Sequence, residues 1–464
     1  MTMPATPDIH APSGSDVARP HDLVVTGLVR GPGGDWARRE IGVRDGVIAA
    51  IGAPGSVFGA RTLDMGGALL LPGMVDAHVH SLSHSGEGVA AATRAAAAGG
   101  VTTIVEMPFD GTGPINSTDR LARKKELVAG EAHVDVALLG TVAPEGGWRA
   151  IDALRDNGVA GLKVSMFLTD PDRFPRISDP ELINVFSAAR ANGLPVCVHA
   201  ENDEVVRTLI GRLRAEGTDP LAHCRSRPPV SETLAVLTAL ELAAHTGVKL
   251  HVCHASLPRS VDLVRLFAGI GADATLETCP HYLLLDEQDM ARRGARLKIN
   301  PPLRTTADRE GLWDRLVRGD IDVISSDHAP WPVEWKSRPN VFDNHSGAPG
   351  VETVYPLVLS EAHRRGPDVF DAAVRAMTTN PARRYGLSPK GQVAVGFDAD
   401  MVAFDPDRTW VIDEHALHSN AGWSPYDGMT SRGRVVMTMV RGEVAYDDDL
   451  RAAPGSGRAV TPAF

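Results

Sequence analysis

Short apolar runs alternate with longer segments of helical periodicity through the middle of this chain. The longer segments are rich in Leu and Ala, and several of them end in Gly, which is a helix-stop signal. The apolar runs number eight: MVDAHVH (74–80), VTTIVEM (101–107), VDVALLGTV (134–142), AGLKVSM (160–166), PVCVHA (195–200), KLHVCHA (249–255), ADATLETC (272–279) and DVISSD (322–327). Eight successive strand–helix units predict an α/β fold, a (β/α)8 TIM barrel over residues 72–387.

The segments on either side of this region have a different pattern. Residues 22–71 and 388–446 contain short runs of strand character, such as DLVVTGLV and GRVVMTMV, separated by turns that contain Gly. We expect both segments to join in one small composite β-sandwich domain built from the two chain ends. Residues 1–21 and 447–464 lack periodicity and are predicted to be a mobile N-terminal tail and a C-terminal tail.

Composition and charge exclude several classes of protein. The 464 residues are 43% hydrophobic, which is enough for a large core, and the net charge of −11 argues against a nucleic-acid-coating surface. No apolar run approaches the ~20 residues that cross a bilayer, and the N-terminus lacks the basic start and apolar core of a signal peptide. Four cysteines are too few for a disulfide framework in a chain of this length. We therefore expect a cytoplasmic protein without nucleic-acid or membrane partners.

Polar side chains interrupt five of the eight apolar runs, each time where the strand is predicted to end. Buried parallel strands are normally almost wholly apolar, and a buried charge is costly unless it is paired or binds a metal. The C-terminal strand ends are also where barrel active sites lie. The interrupting residues are His78, His80, Lys163, His199, His254 and Asp327. One strand histidine is more often an ordinary core residue, but four imidazoles and a carboxylate at one end of a barrel predict a site for zinc or a similar divalent ion.

Lys163 is unusual in such a set because an ammonium group has no lone pair for a metal. Its apolar neighbours in GLKVSM are expected to favour the neutral amine by desolvation. A neutral amine can add carbon dioxide to form a carbamate, and the two carbamate oxygens could bridge two cations.

Sequence motifs along most of the chain, from about residue 22 to 445, resemble the cyclic amidohydrolases: dihydroorotases, allantoinases and hydantoinases (dihydropyrimidinases). The motifs are LPGMVDAHVH (71–80), GLKVSM (161–166), VCVHAEN (196–202), HVCHAS (251–256), ETCPHYLLL (277–285), KINPPLR (298–304), SSDHAP (325–330), NPARRYGL (380–387) and KGQVAVGFDADMVAFDP (390–406). Their order and number make the resemblance specific.

The resemblance implies a metal-dependent hydrolase with two divalent ions, expected to be zinc, and a role for each residue at the strand ends. His78 and His80 would bind the more buried ion, and His199 and His254 the second. Lys163, carboxylated by CO2, would bridge both. Asp327 would contact the first ion and act as the catalytic residue that transfers protons. The resemblance also implies a homo-oligomer, a dimer or a tetramer.

The specificity motifs of the three activities are not intact in this chain. Dihydroorotases typically carry an Arg two residues after the second histidine, where this chain has Leu82. Hydantoinases usually have a Tyr five residues after the lysine, where this chain has Leu168. Allantoinases usually read DHSP, and here the motif is DHAP, as in dihydroorotases. The expected substrate is a small cyclic amide, ureide or imide, of the allantoinase or hydantoinase kind rather than dihydroorotate.

Four residues are candidate substrate contacts, namely Asn300, His281, Leu168 and Trp331. Trp331 opens a long segment, 331–350, that is predicted to lie at the barrel mouth, where its aromatic residues either line an apolar ring pocket or pack the loop down.

Two further functions stay open as alternatives besides dihydroorotase. A non-catalytic scaffold related to dihydropyrimidinases would keep the fold and lose the ligands, yet all six positions are filled here. A mononuclear deaminase would not need a lysine in the place of Lys163.

Overall fold

The computed structural model describes residues 20–31 and 33–463. Residues 1–19, most of the predicted N-terminal tail, lie outside the described residues. The strands are β1 His21–Arg30, β2 Trp36–Arg44, β3 Val47–Gly52, β4 Gly59–Pro72, β5 Met74–Val79, β6 Val101–Glu106, β7 Phe109–Asp110, β8 Gly113–Pro114, β9 Asp135–Gly140, β10 Gly161–Ser165, β11 Pro195–His199, β12 Lys249–Val252, β13 Ala274–Thr278, β14 Val323–Ile324, β15 Met401–Val411, β16 Thr430–Val440, β17 Glu443–Tyr446 and β18 Ala459–Val460.

Helices follow the barrel strands and cover them on the outside. They are α1 Gly88–Ala98, α2 Thr118–Glu131, α3 Ile151–Asp156, α4 Asp179–Ala191, α5 Asp203–Leu213, α6 Leu221–Ser226, α7 Pro229–Thr246, α8 Pro258–Gly269, α9 Pro280–Leu284, α10 Glu287–Arg293, α11 Thr306–Val317, α12 Val354–Arg365, α13 Pro367–Met377 and α14 Thr379–Arg384. Local sequence sets several ends. Thr305 and Asp308 form a capping box at the start of α11, and Gly247, with φ of +71°, ends α7.

The eight predicted strands form a parallel barrel in the order β5-β6-β9-β10-β11-β12-β13-β14. The barrel is closed between its first and last strands by backbone bonds, from His80 N to His328 O (2.9 Å) and from His328 N to His78 O (3.3 Å). Small apolar side chains fill the interior, and Tyr385 and Leu387, at the end of α14, pack with them. The predicted TIM barrel is therefore confirmed.

The two chain ends form one β-domain, as predicted. Its seven strands are hydrogen-bonded in the order β17-β16-β15-β4-β1-β2-β3, with β4 joining the N-terminal and C-terminal segments. Ile41 and Ile48 from one edge share a buried cluster with Met437 and Met439 from near the other edge. The sheet therefore folds over an apolar core of its own, while its opposite face contributes side chains such as Leu69 to the main core around the barrel.

The β-domain and the barrel are joined at the N-terminal ends of the strands. Lys390 Nζ lies 2.7 Å from Asp135 at the start of β9, and 2.9 and 2.8 Å from Asp398 and Asp400 in the β-domain. The segment predicted as a C-terminal tail also reaches this place, because β18 pairs in parallel with β9. Ala459 and Val460 are thus held against the barrel.

Among the described helices, none has the length and apolar character needed to cross a lipid bilayer.

Candidate metal centre and active site

The structure brings together the six residues that the strand ends predicted. His78 and His80 have their Nε2 atoms 3.2 Å apart. Asp327, which follows β14, places Oδ1 3.3 Å from His78 Nε2 and 3.7 Å from His80 Nε2. Three potential ligand atoms from opposite ends of the strand order therefore face one point, which is possible because the barrel closes there.

A second pair of imidazoles adjoins this group. His199 Nδ1 lies 2.9 Å from His254 Nε2, at the ends of β11 and β12. The His254 ring centroid is 4.6 Å from that of His199 and 5.5 Å from that of His78. The four imidazoles thus form a continuous arc, with two potential ligand groups side by side. Lys163, on β10, lines the same cavity.

The backbone is in an unusual conformation at two of these residues. His254 and Asp327 have φ of +38° and +46°, in the left-handed region that side chains other than Gly rarely adopt. Such conformations cost on the order of 1–3 kcal/mol and persist where the surroundings hold them. The Glu277 carboxylate, 3.3 Å away, accepts from His254 N. Beside Asp327, the Ser326 amide donates to Asp76 over 2.9 Å. The fold thus accepts a local loss of stability at His254 and Asp327, and their side chains face the site as a result.

Two buried carboxylates orient His78 and His199 by bonding the ring nitrogen that faces away from the other ligands. Glu277 Oε1 lies 2.5 Å from His78 Nδ1, which directs Nε2 of that ring toward His80 and Asp327. Glu201 Oε2 lies 2.9 Å from His199 Nε2 and also pairs with Arg227. Carboxylates in this position fix the tautomer and raise the basicity of a histidine ligand. Neither residue was predicted from the sequence. Both could have been noticed as acidic residues inside motifs at the strand ends, Glu201 in HAEN and Glu277 in ETCPH.

Burial favours the unprotonated form of three of the imidazoles in the site. Burial, reinforced by the neighbouring His78, lowers the pKa of His80 well below its usual value, and burial with His199 does the same to His254. Burial also lowers the pKa of His199, although Glu201 opposes this. Burial raises the pKa of Glu277, but His78 and His251 outweigh it and hold that pKa well below the usual range. Neutral imidazoles with lone pairs free are the form that binds a divalent metal.

Lys163 is 1% exposed, and its Nζ makes no hydrogen bond to an oxygen or nitrogen atom of the described residues. Its protonation differs from the expectation drawn from GLKVSM. Burial does lower the pKa of Lys163, but Cys253 and Glu277 raise it and prevail. The apolar neighbours along the strand are therefore not the deciding influence, because Cys253 and Glu277 come from other parts of the barrel. The imidazoles and the Asp327 carboxylate are ligands for divalent cations, and Lys163 Nζ in the same cavity has no oxygen partner among the described residues.

A cavity of about 100 Å³ opens above these residues. Of the four candidate substrate contacts, Asn300 and Trp331 line it, and Asn300 Oδ1 is buried without a hydrogen-bond partner in the described chain. Leu168 and His281 do not line it. The Leu168 amide is anchored to Asp203 Oδ1 over 3.0 Å, and the next residue, Thr169, takes the place in the wall. His281 is buried against Tyr282, with ring centroids 4.2 Å apart.

Aromatic residues and one cation complete the wall, and sequence reasoning missed most of them. Phe109 and Phe174 stack with centroids 3.8 Å apart. Arg173 lies beside Phe174 and reaches the same cavity. Two other cations in this part of the chain, Arg304 and Lys336, are buried in other contacts: Arg304 pairs with Glu232, and Lys336 donates to backbone carbonyls. The position of Arg173 depends on a loop conformation that carries no sequence signature.

This chain is similar in sequence to known proteins over most of its length. The profile of the amidohydrolase family matches residues 69–445. An allantoinase of Rubrobacter xylanophilus is 39% identical over 453 residues, covering 95% of this chain and 98% of that protein. An L-hydantoinase of Paenarthrobacter aurescens is 36% identical over 435 residues, covering 91% and 94%.

Solved structures agree with these matches. An L-hydantoinase (dihydropyrimidinase) from Arthrobacter aurescens superposes with a TM-score of 0.91 at 34% identity, over 95% of this chain and 100% of that one. A D-hydantoinase superposes with a TM-score of 0.86 at 30% identity, over 95% and 100%. The resemblance inferred from the motifs is thereby confirmed, and this chain belongs to the amidohydrolase family.

Proposed function

We propose that this protein hydrolyses a ring amide bond of a small cyclic ureide, of the kind suggested by its allantoinase and hydantoinase relatives. Two divalent cations, zinc in this proposal, would be held by His78, His80, His199, His254, Asp327 and a carboxylated Lys163. The observation that carries the proposal is a pair of adjacent ligand groups, His78–His80–Asp327 and His199–His254. Within each group, the donor atoms lie 2.9–3.7 Å apart.

The chemistry of the donor atoms supports divalent cations at this place. Neutral imidazoles and a carboxylate are the ligands that zinc prefers. When bound, the two ions would lower the pKa of a water molecule and polarise the substrate carbonyl. A carbamate on Lys163 would replace one positive charge by one negative charge at the centre of the group, which would offset the charge of the ions.

The residues themselves divide the remaining work. In hydrolysis, the ring C–N bond breaks, the water oxygen becomes part of a new carboxylate, and a proton goes to the ring nitrogen. Burial raises the pKa of Asp327, which suits a group that accepts a proton and then releases it. Asn300 offers an unpaired amide oxygen to the ring, and the Phe109–Phe174 stack would shield one side of the cavity from water.

Retention of all six ligand positions disfavours a non-catalytic scaffold, and the allantoinase and L-hydantoinase relatives favour a ureide over dihydroorotate. The test is a screen of the zinc-loaded protein with hydantoin, allantoin, dihydrouracil, dihydroorotate and a cyclic imide. We expect hydrolysis of hydantoin or allantoin to be fastest, with the new carboxylate detected by mass spectrometry. Faster hydrolysis of dihydroorotate, or no hydrolysis of any compound by protein with two bound ions, would contradict the proposal.

The proposal extends to a cytoplasmic homo-oligomer. All four cysteines are free within the described residues, which suits a reducing compartment. Val230, Leu234 and Leu237 lie exposed along α7, and such a stripe is typical of a subunit contact. Light scattering after gel filtration should give the mass of a dimer or tetramer, and a monomer at micromolar concentration would contradict this part.

A further inference from the structure

Arg173 lies at the tip of a compact turn that follows β10. The amide and carbonyl groups of Asp170 and Phe174 bond each other, with N–O distances of 3.2 and 3.1 Å. The Asp170 carboxylate also accepts from the backbone N–H groups of Asp172 (3.0 Å) and Arg173 (2.8 Å). These bonds hold the backbone of the turn in one conformation. The position from which the Arg173 side chain extends is therefore set by the loop.

The guanidinium is held at the wall of the cavity next to the predicted metal centre. Its Nη1 donates to Ser83 O over 3.0 Å, and Ser83 Oγ lies 3.2 Å from His80 Nδ1. Trp331 lies 5.9 Å from the guanidinium carbon, and the Trp331 indole N–H is already used by Ser346 O. Arg173 is thus linked through Ser83 to the predicted ligand His80, and it lies beside the ring of Trp331.

Part of the guanidinium remains available to a ligand. Nε has a weak contact of 3.4 Å with Asp170, and Nη2 makes no hydrogen bond to the described residues. The side chain is 28% exposed and lines the cavity. Phe109, Phe174 and Ala329 give the wall apolar surface, while Thr169 and Asn300 add uncharged polar groups. A positively charged donor in such a wall would form a strong hydrogen bond to an oxygen acceptor of the substrate, whereas an alkyl group could accept no hydrogen bond from it.

We propose that Arg173 determines specificity by donating to a carbonyl oxygen on the ring substituent of the substrate, and so selects ureides with a carbamoyl-type substituent over those with an alkyl substituent. The inference rests on the proposed ring hydrolysis and names the substrate class of that same site. Losing a hydrogen bond to a charged group corresponds to about a ten- to hundredfold loss of affinity.

Three compounds with the same ring isolate the substituent. Hydantoin has no substituent. Allantoin carries a ureido group, and 5-isobutylhydantoin carries an alkyl group with the same number and branching of heavy atoms. In zinc-loaded protein, Arg173→Met should lower kcat/KM for allantoin by about ten- to hundredfold and leave the other two compounds within about threefold. Arg173→Lys should restore part of the allantoin activity, because it restores the charge without the planar fork.

Arg176→Met is the matched control, since Arg176 belongs to the same loop but is exposed and does not line the cavity. It should leave all three compounds unchanged. Equal losses for the three compounds in Arg173→Met would assign Arg173 to shaping the loop, and unchanged allantoin kinetics would exclude the contact; either result overturns the inference. Calorimetric binding of the same compounds to an Asp327→Asn background separates the two proposals. If no compound is hydrolysed, the proposed function fails. The inference is still supported if Arg173→Met selectively loses binding of allantoin. It is overturned if Arg173→Met binds allantoin as well as the parent protein does, or if no compound binds to either protein.

Discussion

Glu277→Gln tests whether the carboxylate behind His78 helps to build the metal centre. Glu277 lies 2.5 Å from His78 Nδ1 and 3.3 Å from both His251 Nε2 and His254 N. Glutamine keeps the size and one acceptor oxygen, but it removes the charge and turns the other oxygen into a donor. Both effects weaken the hold on the His78 ring and reduce its basicity as a ligand.

The expected magnitude follows from these contacts. A hydrogen bond to a charged group contributes about 1.5–3 kcal/mol, and loss of a carboxylate behind a histidine ligand typically costs about 10- to 100-fold in metal affinity. These figures agree, since about 1.4 kcal/mol corresponds to a factor of ten. We expect Glu277→Gln to weaken one ion by that factor and to leave the ion at His199 and His254 less affected.

Competition with a chromophoric chelator measures both affinities. Glu232→Gln is the matched control, because Glu232 is equally buried and bonds Ser256, Ser260 and Arg304 rather than a predicted ligand. A thermal melt followed by circular dichroism checks that both variants fold. Zinc affinities of Glu277→Gln within about twofold of wild type, in folded protein, would show that this carboxylate does not support the metal site.

Three further outcomes are expected. Lys163→Ala should lose bound metal and activity, and short carboxylic acids added to the buffer should restore part of both; retention of two ions, measured by elemental analysis, would contradict the bridge. Asp327→Asn should stay folded with at least one ion while kcat falls by about 10⁴-fold or more, because acid–base catalysis is typically worth ~10²–10⁴ and a ligand is weakened as well; near-normal turnover would assign proton transfer to another group. Glu352, 2.9 Å away, raises the pKa of His418, so this pair stabilises the fold fully below pH 6.5 and loses its effect as the pH rises through the folded-state pKa. His418→Gln should therefore remove a pH dependence worth less than about 1 kcal/mol between pH 6 and 8.5, as measured by chemical denaturation, and an unchanged profile would contradict this.

The fold was largely predictable because parallel barrel strands are buried on both faces and so read as apolar runs. The same argument found His78, His199 and Asp327, since a polar residue at the end of an apolar run is conspicuous. The short strand β18 was not predictable. It contains two residues in a segment rich in Gly and Pro, and it pairs with β9, which is far away in the sequence.

The remaining parts of the site depend on contacts between distant segments. Arg173 reaches Ser83 across 90 positions in the sequence, through a turn that is closed by its own backbone bonds. Glu277 meets His78 across 199 positions. The pKa of Lys163 was predicted in the wrong direction because neighbours along one strand were considered, whereas Cys253 and Glu277 come from other strands.

Anomalous X-ray diffraction at the zinc edge, on crystals of zinc-loaded protein, tests the proposed centre most directly. We predict two peaks in each subunit, one bound by His78, His80 and Asp327 and the other by His199 and His254. We also predict continuous electron density beyond Lys163 Nζ that joins the two ions. A single peak in fully loaded protein, or an unmodified Lys163 between two ions, would contradict these predictions.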